Sequence, residues 1–179
     1  MQNETIIAGF GGQGVLFTGK VLAYSGLANG QEVTWLPSYG PEMRGGTANC
    51  TVVISDEEIG SAQVLNPRAA IVMNQPSLDK FEDLVAAGGY LVVNTSLTNR
   101  KPKRTDVTVI EIPATELAEE LGDKRLANSV LLGALSGKAD FLTLESIEKG
   151  IEKSLSKDKK DLLDANIKAL EKGAAYLKS

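Results

Sequence analysis

Four glycines fall within six positions, Gly9, Gly11, Gly12 and Gly14, after the β-branched run Thr5-Ile6-Ile7 and before a long apolar helical segment. Gly9, Gly11 and Gly14 satisfy the pattern G-x-G-x-x-G, placed where a phosphate-binding turn requires it, after a strand and opening a helix. Glycine at such positions lets the backbone turn tightly and come close to a ligand. The helix N-terminus then offers unpaired N–H groups to an anion. A pyrophosphate would fit; a glycine-rich turn packed against another protein surface would carry the same residues. Lys20, the only charge in the helix, is either a stem that snorkels to water or a cation reaching back toward a ligand phosphate.

The ordinary nucleotide readings make demands that fail. A nicotinamide dinucleotide wants an acid at the end of the second strand, about 20 residues on, to hold the ribose hydroxyls. Here that strand ends Thr34-Trp35-Leu36-Pro37, and Glu32 lies at its beginning. A Walker loop needs Gly-Lys-Ser/Thr, whereas Gly19-Lys20 is followed by Val21. A second unusual stretch, Leu36 to Thr47, places Ser38, Tyr39, Glu42, Arg44 and Gly45 between backbone-directing prolines and glycines, the composition of a rigid functional loop. Its position after strand two predicts that it shares the ligand-binding edge of the sheet with the glycine turn. Glu42 and Arg44 merely pairing or solvated is the plainer alternative.

Composition closes off other chemistries. The 179 residues contain no histidine and a single cysteine, Cys50. A Ser-His-Asp triad, a Cys-His nucleophile, a histidine-ligated zinc and a cysteine-ligated iron–sulfur cluster are therefore excluded within the chain. Cys50, in an apolar strand, reads as a small buried hydrophobe. A net charge of -4 offers no basic face to nucleic acid. No apolar run approaches a membrane span and Met1-Gln2-Asn3-Glu4 opens without a positive region, so a soluble cytoplasmic protein is expected.

The elements that must position these residues alternate. Strands are predicted at Thr5–Ala8, Glu32–Leu36, Ala48–Ser55, Ala69–Met73, Tyr90–Val93 and Val107–Ile112. Helices are predicted at Gly14–Ala28, Pro76–Ala86, Thr115–Leu121, Leu126–Leu135, Leu144–Leu155 and Lys159–Leu177. This pattern predicts a three-layer α/β/α sandwich, Rossmann-like, with a largely parallel but mixed sheet, as one domain over 1–179 whose C-terminal part, about 143–179, is helical. Pro37 to Thr47 lacks a helical period and reads as a loop crossover, and Ser55-Asp56-Glu57 reads as a turn into a short hairpin strand, Glu58–Ala62. Asn99–Asp106, with Lys101, Lys103 and Arg104, reads as a solvated surface loop. In the last helix Leu163, Ile167, Leu170, Ala174 and Leu177 form one apolar stripe, expected to cover the domain's own sheet, with a docking helix as the alternative.

The stretches GFGGQGVLFTGK, WLPSYGPEMRGGTANCTVVIS, MNQPSLDKF and LANSVLLGAL, in that order, resemble the gamma subunit of the 2-oxoacid:ferredoxin oxidoreductases. The resemblance runs from the N-terminus to about Leu135. It implies a non-catalytic subunit in a complex that converts a 2-oxoacid and coenzyme A, with oxidised ferredoxin, to acyl-CoA, carbon dioxide and reduced ferredoxin. Thiamine diphosphate, magnesium and iron–sulfur clusters would lie on companion alpha, beta and ferredoxin-like delta subunits, since this chain lacks their ligands and the Gly-Asp-Gly signature. None of these is expected on this chain alone; coenzyme A would be a shared ligand. By motif match its adenosine diphosphate end would fall on Gly11, Gly12, Gln13 and Gly14, with Lys20 a further candidate. Docking of the two loops against the catalytic subunits is the rival role. A stand-alone nucleotide-binding reductase, the related subunit of indolepyruvate oxidoreductase and a homodimer of the isolated chain stay open, as does the 2-oxoacid, with 2-oxoglutarate or a general 2-oxoacid favoured.

Overall fold

The computed structural model describes residues 1–39, 46–156 and 159–176. Six strands, β1 (Gln2–Phe10), β2 (Glu32–Tyr39), β3 (Thr47–Ser55), β4 (Ala69–Val72), β5 (Tyr90–Asn94) and β6 (Thr108–Ile112), form one sheet in the order β2-β3-β1-β4-β5-β6. The helices are α1 (Val15–Ala28), α2 (Gln75–Phe81), α3 (Ala114–Glu120), α4 (Ala127–Ser136), α5 (Leu144–Ser154) and α6 (Lys160–Tyr176). The α/β architecture and the mixed sheet agree with the sequence reading.

The origin of the mixture differs from that reading. Strand β3 is antiparallel to both of its neighbours, β1 and β2, while β1, β4, β5 and β6 run parallel. A parallel crossover needs a dozen or more residues, and residues 40–46 alone separate β2 from β3. The connection is therefore a hairpin rather than a crossover. Strand β2 also continues through Pro37 to Tyr39, because β2 is an edge strand bonded only to β3 and a missing N–H is tolerated there. The short strand expected at Glu58–Ala62 does not form; the chain there is irregular.

The sheet buries its two faces unequally. Ile7, Cys50, Val52, Ile54, Ile71, Val92, Ile110 and Ile112 turn to one face and pack with residues of α1, α3, α4, α5 and α6. On the other, Ile6, Ala8, Ala70, Val72, Leu91 and Val93 pack against Leu78, Phe81 and Val85 of α2 and the turn after it. Helix α1 is buried because it lies between sheet and α5: Gly19 leaves room for Cys50 and Trp35, and Gly150 of α5 abuts the Val21 carbonyl and Ser25. Cys50 is 1% exposed, and burial pushes its thiol up to about 12, so it is the inert hydrophobe expected.

Helix α6 covers α4 rather than the sheet. Gly133 of α4 sits against the Leu170 carbonyl and Gly173 of α6 against the Val130 carbonyl, so the two backbones meet directly. Leu170 is fully buried and Ala174 is 4% exposed. The stripe therefore packs into the domain's own core at Leu170 and Ala174, with Leu163 and Ile167 half-buried, but against α4 instead of the sheet expected from the sequence; Leu177 lies outside the described residues. Leu170→Ala should cost about 2–5 kcal/mol, read as a lower melting temperature of the purified chain.

The loop Asn99–Asp106 is not freely solvated. Glu82, buried, accepts from Arg100 and from the Lys103 backbone N–H (3.1 Å), and Arg104 donates to the Glu82 and Val85 carbonyls at 2.8 and 2.9 Å. Lys101 and Lys103 stay exposed. Burial of Glu82 opposes its ionisation, but the hydrogen bonds from Arg100 and Lys103 outweigh it and hold the carboxyl below its ordinary value. A folded pKa depressed in this way stabilises the protein above the unfolded value, about 4.3, and the contribution disappears as pH falls through the folded one. Glu82→Gln should therefore lower the melting temperature at pH 7 and flatten its decline between pH 5 and 3, measured by calorimetry.

Candidate functional site

The glycine turn closes at the C-terminal end of β1 by short-range bonds. The Gln13 N–H donates to the Phe10 carbonyl (3.1 Å), and the Phe10 N–H donates to Gln13 Oε1 (2.6 Å). The Gly11 N–H is also taken, by the Gly46 carbonyl at 2.9 Å, which ties the β2–β3 hairpin to the turn. Gly12 and Gly14 have φ of 96° and 80°, values that side-chain-bearing residues rarely adopt. Beneath Gly14 lies the Asn128 amide, which a Cβ would strike.

What is left over suits an anion. Gly14 is the N-cap of α1 and supplies no side-chain cap, and the first turn of the helix holds no acid. Among the described residues the N–H groups of Gly12, Gly14, Val15, Leu16 and Phe17 have no protein acceptor. Five donors at the positive end of a buried helix favour a negatively charged group.

Three hollows meet at Gly12. One, about 340 Å³, is walled by Gln13, Met73, Asn94, Leu97, Thr115, Glu119, Lys124, Arg125 and Leu131. Gly14, Phe17, Arg125, Asn128, Lys159, Leu162 and Asn166 form a second of about 260 Å³, which shares Gly12, Arg125 and Asn128 with the first. The third runs along Phe10, Gly11, Leu16 and Phe17 on the far side of the turn.

The walls are held by amide side chains that the sequence reading passed over. Asn74 Oδ1 caps α2 by accepting from the Ser77 N–H (3.0 Å), while its Nδ2 donates to Gln13 Oε1 (2.9 Å). Gln13 Oε1 thus serves two donors, and its own Nε2 has no partner among the described residues. Asn94, 1% exposed at the end of β5, donates to Thr115 Oγ1 (3.0 Å) and accepts from the Ala114 N–H (3.1 Å), clamping α3 to the sheet. The signals were present: Asn74 precedes Gln75-Pro76 as an N-cap does, and Asn94 is a polar residue ending an apolar parallel strand. Lys124 and Arg125, just ahead of LANSVLLGAL, carried no motif.

The structure brings Gly11, Gly12, Gln13 and Gly14 together at this site. Lys20 lies elsewhere: its Nζ sits over the Tyr24 ring, 5.7 Å from the centroid, in a groove with Leu27 and Trp35. Ser38 is exposed and opposite Asn49 across the hairpin, and Tyr39 pairs with Ala48 along the backbone. Glu42, Arg44 and Gly45 lie outside the described residues. The failure of the nicotinamide reading gains a structural reason, since the strand beside β1 is the antiparallel β3 and the end of β2 stands two strands away.

Over residues 4–176 the sequence matches the family described as Pyruvate ferredoxin/flavodoxin oxidoreductase. The chain belongs to that family. Ketoisovalerate oxidoreductase subunit VorA of Methanothermobacter marburgensis is 42% identical over 172 residues, covering 95% of this chain and 35% of that protein. The chain therefore spans about a third of the length of that relative. It is also 37% identical to 2-oxoglutarate synthase subunit KorC of Methanocaldococcus jannaschii, over 97% of this chain and 92% of KorC. Among solved structures, the gamma subunit of a keto/oxoacid ferredoxin oxidoreductase from Geobacter sulfurreducens superposes with a TM-score of 0.83 at 26% identity, covering 99% of each chain. Among the described residues no helix is long and apolar enough to cross a membrane, and no group of three or more acids and cysteines is placed to hold a metal.

Proposed function

We propose that the chain is a non-catalytic, gamma-type subunit of a thiamine-diphosphate-dependent 2-oxoacid:ferredoxin oxidoreductase, and that it holds the adenosine diphosphate end of coenzyme A. The observation that carries this reading is the glycine turn, whose five uncommitted N–H groups open onto the meeting point of three hollows. A diphosphate matches those donors, and the apolar floor of Met73, Leu97 and Leu131 suits a base or a pantetheine arm. Decarboxylation and electron transfer belong to companion alpha, beta and ferredoxin-like delta subunits carrying thiamine diphosphate, magnesium and iron–sulfur clusters. This division is supported by the single, buried cysteine, too few thiolates for a cluster, and by the lack of a Gly-Asp-Gly signature for thiamine diphosphate and magnesium. The substrate is a 2-oxoacid; relatives named for ketoisovalerate and 2-oxoglutarate leave its side chain to the catalytic subunits. The work of such a complex is cytoplasmic.

Docking to those subunits is a second use of the same surface, favoured by the exposed Leu97 and Leu162 at the mouths of the two hollows. The purified chain, supplied with 2-oxoacid, coenzyme A and thiamine diphosphate, is expected to reduce no viologen dye, whereas adding it to the other subunits should restore coenzyme A-dependent reduction. Turnover by the chain alone would overturn the subunit reading and favour a free-standing reductase.

A further inference from the structure

The two edge strands of the sheet are built differently. β6 is five residues long, exposes Thr108 and Glu111 and buries Ile110 and Ile112 in the core. β2, at the other edge, runs for eight residues, bonds only to β3 and carries one charge, Glu32, at its start. Trp35 is 38% exposed and Leu36 52%. By register Val33 and Trp35 lie on the α1 face of the sheet, opposite Ile54 and Val52, while Leu36, opposite Thr51, lies on the other. On the α1 face Lys20, Ala23, Tyr24, Leu27, Val33 and Trp35 wall a groove of about 240 Å³, in which Leu27 is 51% exposed. The Trp35 ring is seated there with its Nε1 beside Gly19 of α1. An edge left to water is ordinarily blunted by charge, shortness or cover, whereas β2 carries apolar side chains on both sides of a free backbone edge.

We propose that β2 receives an extended segment of a companion subunit as a seventh strand of the sheet, with apolar side chains set into the Tyr24, Leu27 and Trp35 groove and over Leu36, and a carboxylate at Lys20. The proposal rests on the chain's being a subunit and is independent of coenzyme A. Main-chain hydrogen bonds along the edge hold such a segment, and pockets for its side chains select it. Pro37 has no N–H, so the donors open to the segment lie ahead of it, over 32–36. Alternate side chains of an added strand fall on opposite faces, which lets one segment cover both Trp35 and Leu36. Lys20 sets the charge: its Nζ lies over the Tyr24 ring, it has no ion-pair partner among the described residues, and the groove holds no acid among them. A second copy of the chain fits less well, because antiparallel pairing of two β2 strands about Trp35 sets Glu32, the strand's one acid, opposite Ser38 and leaves both copies of Lys20 without a carboxylate. In the ketoisovalerate relative this unit is about a third of a longer polypeptide and is thus joined to further protein.

The test is amide hydrogen exchange, read by mass spectrometry, on the purified chain and on the same chain assembled with its companion subunits. Amides of 32–36 should exchange at least about tenfold more slowly in the complex, while those of β6 keep their rates. In the free chain, raising the concentration should leave β2 unprotected. Leu36→Asp and Lys20→Glu should each weaken assembly by about tenfold or more and shift the melting temperature of the purified chain little, because both side chains reach the surface. Lys20→Arg, which keeps the charge, should assemble like the wild type. The exchange comparison uses no variant, so it decides the matter even where Leu36→Asp lowers stability. Assembly without protection of β2, or wild-type assembly of Leu36→Asp, would overturn the proposal while the chain remains a subunit. Protection of β2 that appears in the free chain as its concentration rises would overturn it in favour of a second copy. A chain that associates with no companion would remove the subunit reading as well.

Discussion

Gly12→Asp in the assembled complex should raise the coenzyme A concentration for half-saturation by about a hundredfold, roughly 2.7 kcal/mol, while the KM for the 2-oxoacid holds. Two costs add. At φ 96° a side-chain-bearing residue is strained, although a Cβ at Gly12 meets nothing within 4 Å, so the fold itself has room for the change. The carboxylate then stands among five N–H groups where a diphosphate is to sit. Two unit charges 4 Å apart near a protein surface repel by about 4 kcal/mol at an effective dielectric of 20, enough to dominate the strain. Gly12→Ala separates the two, since it keeps the strain and omits the charge; its loss should be closer to tenfold. Parallel loss of coenzyme A and 2-oxoacid affinity would instead assign the turn to docking the catalytic subunits. Activity should be followed with coenzyme A in excess, where Gly12→Asp recovers turnover if only binding is damaged.

Gly173→Val is expected to lower the melting temperature of the purified chain by at least about 6–12 °C. The estimate starts from overpacking, about 3 kcal/mol, with 2–4 °C for each kcal/mol in a chain of this size. Added methyls at this position meet the Val130 carbonyl of α4, a backbone atom that cannot swing aside as a side-chain tip would. The helices would have to part along their length, opening the layer that buries Val130, Leu131, Leu170 and Ala174. Gly133→Val makes the reciprocal collision with the Leu170 carbonyl, so the two effects should be less than additive when combined. Because α4 also carries Asn128 beneath Gly14, coenzyme A binding should weaken with stability in these variants. A preserved melting temperature would mean that α6 detaches freely from α4.

Much of the site was readable from local pattern. The glycine spacing after a β-branched run specified a strand, a tight turn and a helix N-terminus, and Gly12 and Gly14 adopt the positive φ that motivated glycine there. The absent histidines and lone cysteine ruled out whole chemistries without any coordinates. Strand and helix periods placed every major element, because amphipathic period is a property of consecutive residues. Even the hairpin was implicit, since residues 40–46 are too few for a crossover.

Other features depend on which distant segments meet, and no local pattern encodes that. The insertion of antiparallel β3 beside β1 removes the crevice a nicotinamide ribose would use, a matter of strand order rather than residue type. Lys20 looked close to the glycine turn in sequence, yet helical rotation carries it to the Tyr24 and Trp35 groove. Asn99–Asp106 looked free because its cations are exposed residue types, but Glu82, 18 residues before Arg100 and 21 before Lys103, is buried and needs their hydrogen bonds. Lys124 and Arg125 line the same hollow as Gly12 although more than a hundred residues of chain separate them, because α4, which they precede, packs against the sheet. The sequence by itself determined a glycine turn between a strand and a helix on an α/β chain with no histidine and one cysteine; the tertiary structure decided which side chains share a hollow with that turn, because long-range packing and strand order set their positions.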